Sequence, residues 1–277
     1  MTALSCNAAS LRDMRFHCAE DTTRIDELLT LGAASGLTDA GALVEFYGNQ
    51  LLGTPYVAHT LEGEREWLTI NIHELDCVSL VETLYALART TLLGRTSWRD
   101  YALRLESVRY RGGVMGDYSS RLHYISDWIV DNHSRGNLEE VTSELPHATV
   151  MTKTINFMSA HSDLYPQLKN DSAMLAKIRN FEIGYRMHRI PFVKKSWTND
   201  KSLKAALQPG DFVGLVTSVE GLDVSHMGII VKDEKGDAYV LDASSVAMVV
   251  QVETLPLRKY LERSKKCLGI RVFRMMR

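Results

Sequence analysis

Cys77 stands in the segment Leu75-Asp76-Cys77-Val78-Ser79-Leu80-Val81-Glu82-Thr83-Leu84, where a polar loop gives way to an apolar run with helical spacing. A thiol in the first turn of a helix faces unpaired backbone N–H groups and the positive end of the helix dipole. Both favour the thiolate, the nucleophilic form of cysteine. Such a nucleophile needs a base within hydrogen-bond reach, and the base needs a third group to orient it. Of the nine histidines, His226 has the most suitable context, in Val224-Ser225-His226-Met227-Gly228-Ile229-Ile230-Val231, where a turn becomes an apolar strand. The next apolar run, after Lys235-Gly236-Asp237, ends in Tyr239-Val240-Leu241-Asp242. If the two runs pair as antiparallel strands, Asp242 returns beside His226 and can hold its imidazole.

The elements that would position these residues follow from periodicity. Apolar residues recur every three or four positions from about Asp21 to Leu52, which predicts two helices separated by Gly32-Ala33-Ala34-Ser35-Gly36. Pro55 disfavours helix at Thr54, so the second helix ends near Gly53-Thr54-Pro55-Tyr56. Residues 57–75 read as a loop with a strand near Trp67–Asn71, and a helix runs from Cys77 to about Leu93. Residues 95–205 are rich in charge and aromatic side chains, and helix-like pieces at 97–105, 120–133, 151–160 and 172–188 predict a mostly helical insertion. From Pro209-Gly210-Asp211 onward, short β-branched runs at 212–217, 227–231, 238–242, 246–252 and 268–273 alternate with Gly and Asp turns and predict an antiparallel meander. Helices first and strands last indicate an α+β fold. The expected organisation is a tail over residues 1–20 and a single catalytic domain over 21–277 that carries the insertion.

Composition excludes several classes. The 277 residues are 45% hydrophobic and 24% charged with a formal charge of −2, and acidic and basic residues are mixed along the chain, so nothing suggests a nucleic-acid surface. No run of about twenty apolar residues occurs, so no membrane span is expected. The four cysteines, Cys6, Cys18, Cys77 and Cys267, form no Cys-x-x-Cys pair, and no two histidines show the spacing of a zinc pair on one helix, so no metal or cofactor is expected. A disulfide between Cys18 and Cys267 stays open. The start, with small residues before Cys6, reads either as the end of a lipoprotein signal or as a plain tail. The first reading would give a lipid anchor in a full-length form.

Gly53-Thr54-Pro55-Tyr56, Asp76-Cys77 with Leu80-Val81, His226-Met227-Gly228-Ile229 and Asp242 together resemble the NlpC/P60 family of papain-like cell-wall peptidases and amidases. The order of helix with Cys, strand with His and strand with a polar third residue is that family's order. Departures exist. Val78-Ser79 stand where Ser-Gly is usual, Ala58-His59-Thr60 replace a Trp-Gly-Gly, the third residue is Asp242 where His is common, and the interval from Cys77 to His226 is far longer than usual. With Arg109-Tyr110-Arg111-Gly112-Gly113, Tyr118-Ser119-Ser120-Arg121-Leu122-His123-Tyr124 and Trp128, the chain is similar to the amidase-like branch known as DUF1460, and there the likeness extends over most of its length.

The resemblance implies a papain-like core and hydrolysis of the amide between N-acetylmuramic acid and L-alanine in peptidoglycan fragments, in a bacterial cell envelope. It implies Cys77, His226 and Asp242 as the catalytic set, with Tyr56 beside the thiol as an oxyanion or orienting group. Asp76, Arg111, Arg121, His123, Tyr124 and Trp128 are the expected substrate contacts. Arginine can clamp a peptide carboxylate, and Tyr110, Tyr124 and Trp128 can stack on a sugar. A solvated face is the equal alternative for Arg111, Arg121 and His123, and His59 and His73 near Cys77 are further pocket candidates. Two rival functions remain: an endopeptidase for γ-D-glutamyl bonds, and an inactive module that binds muropeptides.

Overall fold

The computed structural model describes residues 11–276. After a 3-10 turn at Leu11–Asp13 come strand β1 (Met14–Phe16), helices α1 (Glu20–Ala34) and α2 (Ala40–Gln50), strand β2 (Leu68–Ile70) and helices α3 (Cys77–Leu92) and α4 (Trp98–Arg109). The middle of the chain holds α5 (Ile125–Ser134), β3 (Leu138–Glu140), β4 (Ala148–Lys153), α6 (Phe157–Ala160), α7 (Pro166–Lys169), α8 (Ser172–Ile183), β5 (His188–Lys194) and α9 (Lys201–Ala206). The last part holds β6 (Phe212–Thr217), β7 (Val224–Lys232), β8 (Ala238–Ser244), β9 (Val249–Val252), α10 (Leu257–Glu262) and β10 (Cys267–Met275). The result is a mixed α/β fold with helices first and a mostly antiparallel sheet.

The main sheet has the order β4-β5-β10-β6-β7-β8-β9, with β3 also paired to β10. Helix α3 lies across one face against β7 and β8, with α1, α2 and α4 around it. It is buried nearly all round, through Leu80, Val81, Leu84, Tyr85, Leu87 and Ala88. That is the signature of a central helix with no solvent face. The main apolar core joins these side chains to Met227, Ile229 and Leu241 of the sheet. A second core on the other face joins Ile230 and Val240 to Leu257 and Leu261 of α10.

Three expectations are corrected, and one open alternative is closed. Residues 1–10, with Cys6, lie outside the described residues, but the expected tail is already ordered at 11–20, where β1 pairs in parallel with β2. The insertion is richer in helix than in strand, as expected, but it is not helical alone. Its strands β3, β4 and β5 join the main sheet, so the expected helix at 151–160 is split between the end of strand β4 and the short helix α6 (Phe157–Ala160), and the one at 172–188 ends at Ile183. The β-branched residues Thr149, Val150 and Thr152 favour strand, and β4 lies at the sheet edge, where one strand face need not be apolar. The meander also breaks at β9. Helix α10 intervenes, and β10 crosses back to pair with β6 on its far side. Finally, Cys18 and Cys267 are free thiols, so no disulfide joins them.

Candidate active site

Cys77 is the first residue of α3 because Asp76 caps the helix. The Asp76 carboxylate accepts from the Val78 and Ser79 amides at 3.0 and 2.7 Å, and Ser79 Oγ accepts from the Asp76 amide at 2.8 Å. This reciprocal pair is a capping box. It gives Asp76 a structural task at the helix start. The cap fixes where the helix starts and thus where the thiol projects. The preceding loop is held by Leu75, whose amide donates to Pro55 O at 3.0 Å and whose carbonyl accepts from the Val57 amide at 3.2 Å. This bridge brings Tyr56 alongside Leu75. Burial, together with the nearby Cys77 and Asp76, raises the Tyr56 hydroxyl above its ordinary pKa.

His226 lies at the start of β7 beside a bulge. Leu215 pairs with His226 and Val216 with Val224, which leaves Ser225 as the extra residue. Bulges re-aim a side chain without ending the ladder. One strand further, Asp242 on β8 is fully buried, and His226 Nε2 lies 2.7 Å from its Oδ2. Gly228 permits this approach. A Cβ there would stand 2.6 Å from Leu241 O and 3.1 Å from the Asp242 Cβ. Burial disfavours a charged His226 ring, but its hydrogen bonds to Asp242 and Cys77 outweigh this and push its pKa up to about 10. The ring therefore carries a proton at neutral pH, with Nε2 on Asp242 and Nδ1 left for the sulfur.

Sequence reasoning missed Tyr260. Its hydroxyl, on α10, donates to Asp242 Oδ2 at 2.7 Å, the same oxygen that meets His226. Burial and the Asp242 charge raise the Tyr260 pKa strongly, so it remains a donor. Nothing local marks this tyrosine, since its partner comes from another element. Asp242 Oδ1 is buried with no hydrogen-bond partner among the described residues. A cavity of about 350 Å³ opens beside this group, lined by Leu215, Ser225, His226, Ser244, Tyr260 and Arg263 among others.

The other expected substrate contacts do not gather here. Arg111 forks onto Asp127 at 2.8 and 2.6 Å and covers the Phe181 ring. His123, partly buried, places Nε2 2.8 Å from Tyr118 O, and burial with the Arg121 charge pushes its pKa down to about 3. The Tyr124 hydroxyl donates to Glu182 and accepts from the Met158 amide. Trp128 is 1% exposed and packs edge-on against Phe273, and Tyr110 is buried with its hydroxyl on Glu66 and Trp67 O, so none of the three aromatic rings is free to stack on a sugar. Arg121 pairs with Glu62 and Glu66. It also lines a groove of about 1080 Å³ with Tyr118, Met115 and Gln167, whose walls include none of Cys77, His226 and Asp242.

A helix-start thiol, a strand-borne imidazole and a buried carboxylate lie together on a mixed α/β fold. Residues 46–270 match the AmiA-like family, described as N-acetylmuramoyl-L-alanine amidase-like, and the chain belongs to that family. It is similar to the crystal structure of an N-acetylmuramoyl-L-alanine amidase from Bacteroides uniformis, at 35% identity and TM-score 0.81, over 86% of this chain and 99% of that one. A Bacteroides fragilis protein described provisionally as a xylanase is 36% identical, with TM-score 0.77, over 84% and 100%. A Legionella pneumophila protein carrying the DUF1460 family model is 18% identical with TM-score 0.69, over 92% and 95%, and shares the fold. No curated relative matches the chain. Among the described residues no helix is long and apolar enough to cross a membrane.

Proposed function

We propose that the protein is a cysteine amidase with a papain-like core of the NlpC/P60 type, which hydrolyses the bond between N-acetylmuramic acid and L-alanine in peptidoglycan fragments in the bacterial envelope. The observation that carries the reading is the 2.7 Å contact of His226 with buried Asp242, with Cys77 at the first position of α3 near enough to help raise the pKa of the same ring. The family membership supports the bond type.

In this reaction the Cys77 sulfur attacks the lactyl carbonyl. The Cys77 backbone N–H and the Tyr56 hydroxyl stabilise the oxyanion, and one such donor is worth about 3 kcal/mol of barrier. His226 passes its proton to the departing amine of L-alanine, and the peptide leaves. Neutral His226 then takes a proton from water, which attacks the thioester and releases the sugar acid, restoring the thiolate and imidazolium. Asp242 keeps the ring oriented throughout, and Tyr260 keeps Asp242 in place. Cleavage of a glycosidic bond would instead call for two carboxyl groups about 5–9.5 Å apart across the cleft. The Cys77 group offers one carboxylate, and it is already bonded to His226 and Tyr260.

Mass analysis of products from muramyl peptides tests the reading. The expected products are a peptide with a free L-alanine amine and the intact sugar acid, and Cys77→Ala should lower the rate about 10⁴-fold or more with an unchanged melting temperature. A sugar-linked dipeptide as product would identify the glutamyl endopeptidase. Absence of any product would leave the binding module.

A further inference from the structure

A second cluster of chemically capable side chains lies away from the sulfur–imidazole pair. Cys18 Sγ, an Asp21 carboxylate oxygen and a His73 ring nitrogen all lie within 4.8 Å of one another. His73 Nε2 is buried, has no hydrogen-bond partner among the described residues, and stands 3.9 Å from Asp21 Oδ1. That distance is too long for a hydrogen bond. It is close to the separation of two ligands on one tetrahedral zinc, about 3.3–3.6 Å for bonds of about 2.0–2.3 Å. We propose that Cys18, Asp21 and His73 form a zinc site that clasps the start of α1 to the loop leading into the active-site helix.

The carboxylate is held ready for this. Asp21 is fully buried, its Oδ1 accepts from the Ile72 amide at 3.1 Å and its Oδ2 from the Cys18 amide at 2.9 Å. Each oxygen retains a lone pair for a cation. The other two ligands can adjust, because His73 has 39% of its side chain exposed and Cys18 is partly exposed. Closing the group needs a shift of about half an ångström between His73 and Asp21 and of up to about 1.5 Å elsewhere. The ligand set selects the ion, since thiolate and imidazole suit zinc whereas magnesium and calcium take oxygen ligands. Solvent supplies the fourth position, since Cys18 and His73 are both partly exposed. Binding displaces the thiol proton to solvent as the Zn–S bond forms.

The location gives the site a consequence. Asn71 Oδ1 accepts from the His73 and Glu74 amides at 3.0 and 2.9 Å, so the loop is already folded when it presents His73. Asp76 and Cys77 follow immediately. A metal here would stabilise the approach to the nucleophile without touching substrate, whichever bond the enzyme cleaves. The search for histidine pairs on one helix could not find it, because its ligands come from segments 18–21 and 73.

The test uses the Cys77→Ala protein, so that the thiol beside His226 cannot bind metal. After stripping with a chelator, zinc is titrated in competition with a chromogenic chelator. The expected result is one zinc per chain with Kd about 1 µM or tighter. Cys18→Ser and His73→Gln should each weaken binding by about 100-fold or more, above the 10–100-fold typical of losing an outer partner. Zinc should raise the melting temperature of the parent and not of either variant, and cobalt should give a thiolate charge-transfer band that Cys18→Ser removes. Weaker binding than about 10 µM, or binding undiminished in both variants, would overturn the assignment.

Discussion

Two parts of the molecule are dense in polar side chains and use them in opposite ways. At the rim of the sheet, His226 keeps 18% of its side chain exposed, Asp242 has one carboxylate oxygen without a partner, and Cys77 is only partly buried. In the insertion and the helices it packs on, Arg109 lies on Glu82 at 2.6 Å and on Thr69 O, Arg111 forks onto Asp127, Tyr124 bonds Glu182, and Arg271 grips Glu140. Most of these bonds are made to neighbours and serve the fold, although Arg111 Nε and, nearby, Trp128 Nε1 find no partner among the described residues. The first group retains capacity for a reacting molecule. Residue type alone does not separate the two, since both contain the acids, bases and aromatic rings that chemistry requires. What separates them is that the insertion charges are paired to one another, whereas the Cys77–His226 side of the rim group stays open.

Substitutions should divide along the same line. Asp242→Asn keeps the shape of the rim but removes the charge that orients His226, and should lower turnover by about 10³-fold with little change in unfolding midpoint. Arg109→Leu should do the reverse. It leaves the Glu82 carboxylate buried without its partner, at a cost of about 3–5 kcal/mol in a denaturant titration, while the activity of each folded molecule stays near that of the parent. If Arg109→Leu instead lost activity at full stability, the division between the regions would be wrong.

The protonation of His226 sharpens the contrast further. Its ring holds a proton up to about pH 10 in the folded chain and to about 6.5 ordinarily. Between those values the folded chain binds the extra proton, so the contribution of this residue is complete below about 6.5 and falls as pH rises toward 10. The stability advantage of wild type over His226→Gln should therefore shrink between pH 6.5 and 10. An advantage that grew with pH would contradict a protonated His226 held by Asp242. The smallest effect is expected from Tyr260→Phe, which removes one donor from Asp242. A rate loss of about tenfold should come with an altered pH profile, and an unchanged profile would make Tyr260 a packing residue only.

How much of this could be read from the chain depends on how local each interaction is. Helix α3, expected over Cys77 to about Leu93 and found at Cys77–Leu92, announces itself through its cap and apolar period. Strand β6 falls on the expected 212–217. The pairing of His226 with Asp242 was legible because β7 and β8 are consecutive strands joined by a short turn. The insertion was not legible in the same way. Strand β4 follows no clean apolar alternation because it lies at an edge, and β3 is only three residues long. The partners of the insertion arginines lie far off in sequence, as with Arg271 and Glu140 or Arg121 and Glu66, and no periodicity encodes such a match. That is why Tyr124 and Trp128 read as a binding surface but are internal, and why Arg111, still partly exposed, is tied to Asp127. Tyr260 and the Cys18–Asp21–His73 group stayed hidden for the same reason in reverse. Their functional sense exists only once distant segments meet.

The central claim is that the Cys77 sulfur forms a covalent bond to the acyl half of the substrate. Acid quenching of the protein in the first turnovers on a muramyl peptide, followed by mass analysis of the intact chain and its peptides, tests this most directly. The account predicts a mass increase equal to the muramoyl acyl group, located on Cys77 and absent from Cys77→Ala. Continued hydrolysis by Cys77→Ala with no adduct on the parent chain would contradict it.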